Sequence, residues 1–276
     1  MRGLIVALLF IAVHQAYLLQ MLRIAVTDPN WSHAPLVPLV SLFMIYTRRF
    51  ELWSIAPRPC FWGGGIMGAA LLLYVVGFYP LSSATIRGWA TIMDLFGLLL
   101  LLTGPMMRVL WFPVCYLVFA VRIGDKFWQL FAYHLQHAAA GLAADILRTF
   151  GADVTAQGAT IEFWRGISSM GQLNIVEACS GLRLLMAFIA MGVAIVYLYP
   201  RPWWARAALL LLTVPIAILT NVLRVTVLGL IFMNNPRIPL DRYHDWSGMA
   251  MLLVGATLFI GCGWILDHLI VSRRDA

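Results

Sequence analysis

Arg206–Phe232 reads RAALLLLTVPIAILTNVLRVTVLGLIF. Apart from its two arginines this run carries no charge, and at about 1.5 Å of rise per residue it can cross the roughly 30 Å hydrocarbon core of a bilayer as a helix. Working outward, further apolar runs fall at about 3–22, 34–47, 60–79, 88–103, 105–121, 180–199 and 248–269. The pattern predicts an all-α polytopic membrane protein with about eight transmembrane helices. Composition agrees. The 276 residues are 62% hydrophobic and 11% charged, where soluble chains run about 45–50% and 25%. Mean hydropathy is +0.86. A soluble enzyme, a disordered chain and a coiled coil are excluded. The net charge of +7 would suggest nucleic acid in a soluble domain. Here the basic residues sit in short clusters between apolar runs, with no basic stripe or RNA motif, so no nucleic-acid partner is expected.

Those clusters orient the chain. With eight spans, Arg2, the loop with Arg48, Arg49 and Arg58, the loop with Arg201 and Arg206, and the terminal Arg273 and Arg274 share one side. Arginine-rich short loops stay in the cytoplasm, so both termini are placed there. The segment Gly3–Leu22 lacks a small-x-small cleavage site and is expected to remain as the first helix. Residues 25–33, Arg87, 122–178 and 234–247 then face the outer side. The whole of 1–276 reads as one integral-membrane domain, with an outer-face insertion at about 122–178 and a catalytic core at about 173–250.

Within the insertion, Trp128, Phe131, Leu135, Leu142, Ile146 and Phe150 recur at helical spacing. They predict an amphipathic helix over 125–150 lying in the membrane interface, stopped by Gly151. Thr160–Trp164 and Leu173–Val176 alternate like the strands of a short β-hairpin leading into Glu177-Ala178-Cys179. Gly104-Pro105 marks a turn between the fourth and fifth spans. Gly64 and Gly68 form a GxxxG helix-packing pattern. Trp31, Trp203 and Trp204 are expected as interface-belt aromatics. His14, Asp94 and His268 fall within spans, as polar contacts between helices.

Four cysteines lack CxxC spacing, which argues against a zinc site or disulfide framework. No metal and no cofactor motif is found. Three residues stand out: Cys179, Arg224 and His244. Cys179 lies just before the start of a helix, where the positive helix end and a nearby arginine favour thiolate; its bland alternative is a small packing residue. Arg224 is eighteen residues from Arg206, or about 27 Å along a helix. That puts it at the outer interface, where it is either functional or a snorkelling arginine. Cys179 is about 33 Å along its helix from Arg201, and His244 precedes the last span on the same side. Cys with His is a set for nucleophilic acyl transfer, with a fixed cation to stabilise the oxyanion.

Ala178-Cys179-Ser180-Gly181-Leu182-Arg183, then Asn221-x-x-Arg224, then His244-Asp245-x-x-Gly248, resemble the three signature blocks of exosortases. Trp31-Ser32-His33-Ala34-Pro35-Leu36-Val37-Pro38 is similar to the family's N-terminal block, with Ala34 where Gly is usual. The resemblance implies a membrane-embedded cysteine protease and transpeptidase of the bacterial inner (plasma) membrane, with its active site on the periplasmic side. Its substrates would be exported proteins carrying a C-terminal sorting signal: a Pro-Glu-Pro motif, one transmembrane helix and a basic tail. Besides membrane lipid, the remaining partner is the acceptor, which stays open among water, an amine and an exopolysaccharide or other glycan. By the family pattern Cys179 forms an acyl-thioester, Arg224 serves as proton donor and His244 as base or transition-state stabiliser. Ser180, Arg183, Asn221 and His33 are supporting residues. The chemistry of the side chains instead assigns Arg224 to the oxyanion. Two other classes share these residues: a membrane acyltransferase using the same outer-face set, and a transporter or assembly subunit using Arg224 and His244 for passage. The paired broken helices of a transporter are not seen in the sequence.

Overall fold

The computed structural model describes residues 2–28, 31, 33–122, 125–174, 181–199, 201–235 and 240–271, and of residues 2–4, 125–132, 135, 181–184, 240–246, 249 and 269–271 the backbone alone. Two compact units divide the chain, Met1–Gly124 and Asp125–Ala276.

The first unit contains α1 (Arg2–Thr27), α2 (Leu36–Thr47), α3 (Arg49–Ser54), α4 (Trp62–Phe78), α5 (Ala84–Thr103) and α6 (Met107–Tyr116). In lipid a helix satisfies its own backbone, which is why apolar runs of this length take that form. Each of the eight expected runs is helical. Among the described residues four stretches are long and apolar enough to cross a membrane: Ile5–Thr27, Ala84–Ala120, Trp203–Asn234 and Ala250–His268. The expected fourth and fifth runs share the second of these. Leu36–Thr47, Trp62–Phe78 and Leu185–Leu198 are shorter apolar helices. The short helix α3 was not expected; Arg48 and Glu51 pair across its start at 3.7 Å.

α4 and α5 meet backbone to backbone. A Cβ on Gly63 would strike the backbone of Gly97 and Leu101, and one on Gly97 would come within 2.9 Å of the Met67 nitrogen. The expected Gly64 and Gly68 pair is not this seam: a Cβ on either would meet open space. The seam uses Gly63 and the Met67 backbone instead, because three consecutive glycines (Gly63–Gly65) leave the contact face undetermined by sequence. Gly104, at φ +48, ends α5. A Cβ there would collide with the carbonyl oxygen of Arg58, so the expected turn needs glycine for both conformation and space. α2 packs on α6, and Ser41 Oγ donates to the carbonyl of Pro113 at 2.7 Å. Trp31 is 4% exposed. It is a core residue with its ring tilted on His33, not a belt aromatic, whereas Trp203 is 81% exposed.

The second unit contains α7 (Asp125–Thr149), β1 (Val154–Gln157), β2 (Thr160–Arg165), β3 (Ser168–Asn174), α8 (Gly181–Leu198), α9 (Trp203–Asn234) and α10 (Leu240–Ile265), which continues as a π-helix over Leu266–Val271. The α7 helix ends as its glycine predicts. Gly151 sits at φ +83, its N–H bonds the Arg148 carbonyl, and the Ala152 N–H reaches back to Leu147, the paired bonds of a Schellman motif. The expected hairpin is a three-stranded antiparallel meander, β1-β2-β3. Val154–Gln157 was missed because the run is too short to show alternation. Gly158 (φ +65) and Gly166 (φ +63) open the two-residue loops, the position where primed turns place glycine. Val176, at the end of the expected second strand, lies outside the described residues.

Val154, Ile161, Phe163 and Leu173 point inward from the sheet and join Ala139, Ala140, Ala143, Ala144 and Leu147 of α7 and Val222, Val225, Leu228 and Phe232 of α9 in one buried cluster. The buried seam of α7 is thus made of alanines. Leu142, Ile146 and Phe150, half of the stripe read from the sequence, are 50%, 38% and 63% exposed. These three residues lie beside the packing face rather than along it. Leu147 presses into the notch left by Gly229, where a Cβ would stand 2.7 Å from its Cδ1. Phe232 seats against Gly171 of β3 and its ring meets that of Phe163 at 4.9 Å.

Candidate active site

α9 carries two cores in series. Its first half packs Leu209, Ile216 and Ala217 with Leu185 and Phe188 of α8 and Met251 and Phe259 of α10. Its second half carries the cluster shared with α7 and the sheet. Between them the buried face turns polar: Thr220, Asn221 and Arg224 are 0%, 3% and 1% exposed. Thr220 returns its hydroxyl to its own helix, to the carbonyls of Ile216 and Ala217. A β-branched hydroxyl residue commonly disposes of its donor in this way. Asn221 Oδ1 is buried and accepts no hydrogen bond among the described residues.

Arg224 is the largest fully buried side chain among the described residues. A snorkelling arginine keeps its head in the headgroups; this one has its guanidinium inside the protein. Its Nε donates to Ser247 Oγ at 2.9 Å. Ser247 belongs to α10, so the bond ties α9 to the helix that bears His244. The loop expected over 234–247 is shorter than read. α9 runs on to Asn234, and α10 begins at Leu240, with Asp241 in its first turn, where an acidic residue suits the positive end of a helix. His244 therefore lies inside α10, one turn before Ser247, and not in a loop before the last span.

Cys179 and Ser180 lie outside the described residues. The helix expected to follow them is present: α8 starts at Gly181, two residues past Cys179, and Arg183 is in its first turn. His33 is buried in the first unit at 6% exposure. The structure thus joins Arg224 to the His244 helix through a residue that the sequence reading missed. The signal for Ser247 was present, since it stands three places after His244 in Tyr243-His244-Asp245-Trp246-Ser247-Gly248, the spacing of neighbours on a helix. Reading that block as a loop hid it.

No curated protein and no solved structure matches the chain at a significant level. The family model described as transmembrane exosortase matches residues 25–261. That span contains the buried Arg224, His244 with most of its helix, and the block around Cys179, and the chain belongs to the transmembrane exosortase family.

Proposed function

We propose that this multi-pass membrane protein is a cysteine peptidase and transpeptidase that removes C-terminal sorting signals from exported proteins at the outer face of the inner membrane. The observation that carries the reading is the buried, hydrogen-bonded guanidinium of Arg224 on a helix tied to that of His244. A cation taken out of water is costly and is retained where charge must be met. A developing oxyanion, or a carboxylate beside the scissile bond, is such a charge.

In this reading the Cys179 thiolate attacks the scissile carbonyl, forming a carbon–sulfur bond while the carbonyl oxygen becomes an oxyanion. Cys179 precedes the N-terminus of α8, whose positive end favours thiolate. Arg224 offers fixed N–H donors to the oxyanion, a contact worth about 10²–10³ in rate. His244 takes the thiol proton and returns it to the leaving amine as the carbon–nitrogen bond breaks. The acyl-thioester is then resolved by water, an amine or a glycan hydroxyl. A substrate anchored by its own transmembrane helix and basic tail presents its cleavage site at a fixed depth, so membrane confinement supplies part of the positioning. Both termini of the enzyme are cytoplasmic in this arrangement, with Arg201 and Arg206 on that side.

The test is co-expression with an exported protein ending in a Pro-Glu-Pro motif, an apolar helix and a basic tail. Loss of that tail with the wild-type chain, and its retention with Cys179→Ala, is the expected result. Equal processing in both would refute the cysteine mechanism.

A further inference from the structure

In the first unit a histidine and an aspartate face each other inside the apolar helices. His14 of α1 is 0% exposed and Asp94 of α5 is 4% exposed. His14 Nε2 stands 3.8 Å from Asp94 Oδ2. The imidazole is clamped on its other sides: Phe10 stacks on it at 4.6 Å and the Tyr74 ring of α4 meets it edge-on at 4.6 Å. Its Nδ1 lies 3.1 Å from the carbonyl oxygen of Phe10.

That last contact sets the chemistry. A backbone carbonyl only accepts, so Nδ1 carries the hydrogen. A neutral ring with its hydrogen on Nδ1 presents a lone pair at Nε2, toward a carboxylate oxygen that also only accepts. Two lone pairs do not bond each other. His14 Nε2, Asp94 Oδ1 and Tyr74 Oη are all buried without a hydrogen-bond partner among the described residues. Neutral imidazole beside a bare carboxylate would also leave a net charge in the apolar interior, the costliest of the available states. The other titratable groups nearby are Tyr17 on α1, Tyr74 on α4 and Arg87 on α5. Arg87 is two turns from Asp94, about 10 Å along the helix, with its guanidinium over the Phe78 ring.

We infer that His14 and Asp94 form a proton-binding site, in which one exchangeable proton held between Nε2 and the carboxylate fastens α1 to α5. The proton makes the couple neutral as a unit, whether it rests on oxygen or nitrogen, and it converts two facing acceptors into a donor and an acceptor. The position of the couple gives it leverage. Among the described side chains of α1, only His14 and Tyr17 are buried, and the Tyr17 hydroxyl rests on Gly88 of α5. Leu18 and Met21 pack beside Tyr17, but apolar surface gains nothing by leaving lipid, which leaves the polar couple a large share in holding the helix.

The test uses the full chain in lipid nanodiscs. Asp94→Asn places an N–H donor opposite Nε2 and is expected to unfold at the wild-type rate within about twofold. His14→Leu and Asp94→Leu each strand a buried partner and are expected to speed unfolding by about three- to tenfold. The double variant His14→Leu/Asp94→Leu should recover most of that loss. Asn behaving like Leu, or single effects that multiply in the double variant, would overturn the inference. If the leucine variants do not fold, the wild type decides alone. At neutral pH its infrared and nitrogen-15 histidine spectra should show a protonated carboxyl or an imidazolium that disappears in Asp94→Asn. A carboxylate with a neutral ring would overturn the inference as well.

Discussion

The α4–α5 seam and the middle of α9 are both buried stretches of apolar helix, and they are built in opposite ways. At the seam, Gly63 and Gly97 supply nothing but room, and two backbones close on each other. In α9, Thr220, Asn221 and Arg224 place hydroxyl, amide and guanidinium groups in the interior. The first arrangement is what van der Waals packing in lipid asks for, since lipid tails give helices no hydrophobic reason to associate. The second buries groups that must find partners inside the protein, as the Arg224 Nε does in Ser247. The seam serves the fold, and the α9 stretch supplies the cation on which the proposed chemistry draws. Substitutions in the two regions should therefore fail differently, one set losing structure and the other losing chemistry.

The sharpest contrast is Cys179→Ala, expected to abolish sorting-signal cleavage with membrane insertion and melting unchanged; processing by immunoblot beside a thermal-shift curve measures both. Arg224→Lys keeps the charge but gives up the planar fork, and should lower the cleavage rate by about 10²–10³ at equal protein level. A near-normal rate would move Arg224 to the structural side of the comparison. Gly63→Leu is the converse. Overpacking against the Gly97 and Leu101 backbone should cost about 1–3 kcal/mol, seen as faster unfolding in detergent, while material that does fold cleaves normally. Ser247→Ala removes an acceptor from the Arg224 Nε. Hydrogen bonds to charged groups run at about 1.5–3 kcal/mol, so activity should fall by about ten- to a hundredfold, mainly in turnover and without loss of expression. The mildest is Arg201→Lys. Arg201 makes a two-pronged contact to Asp267 at 2.7 and 2.8 Å where the carboxylate is partly exposed, and losing the fork should cost no more than about 1 kcal/mol, leaving cleavage intact.

The apolar runs gave the helices because backbone satisfaction in lipid leaves little alternative. They did not give the contact faces. Nothing in Gly63-Gly64-Gly65 marks which glycine meets Gly97, and the alanine seam of α7 was masked by the larger residues beside it. A hydropathy reading weights Leu and Phe, while close helix approach selects Ala and Gly. At the candidate site, Arg224 was legible as a charge inside an apolar run, and His244 as a titratable group beside the last span. Ser247 was not, because a serine before a glycine reads as a loop. Trp31 misled for a similar reason: aromatic residues near span ends are found both in belts and in cores, and it is the burial of Trp31 that distinguishes it.

α9 has 32 residues, about 48 Å at 1.5 Å each, against a hydrocarbon slab of about 30 Å. It is one continuous helix, longer than that slab is thick, and its second half carries the meander through Val225, Leu228 and Phe232. The elevation of Arg224 relative to the sheet is thus engraved in the protein, like a mark on a gauge, and does not depend on the bilayer around it. A thinner or thicker membrane can slide or tilt the rod; it cannot change the distance between the mark and the platform above it.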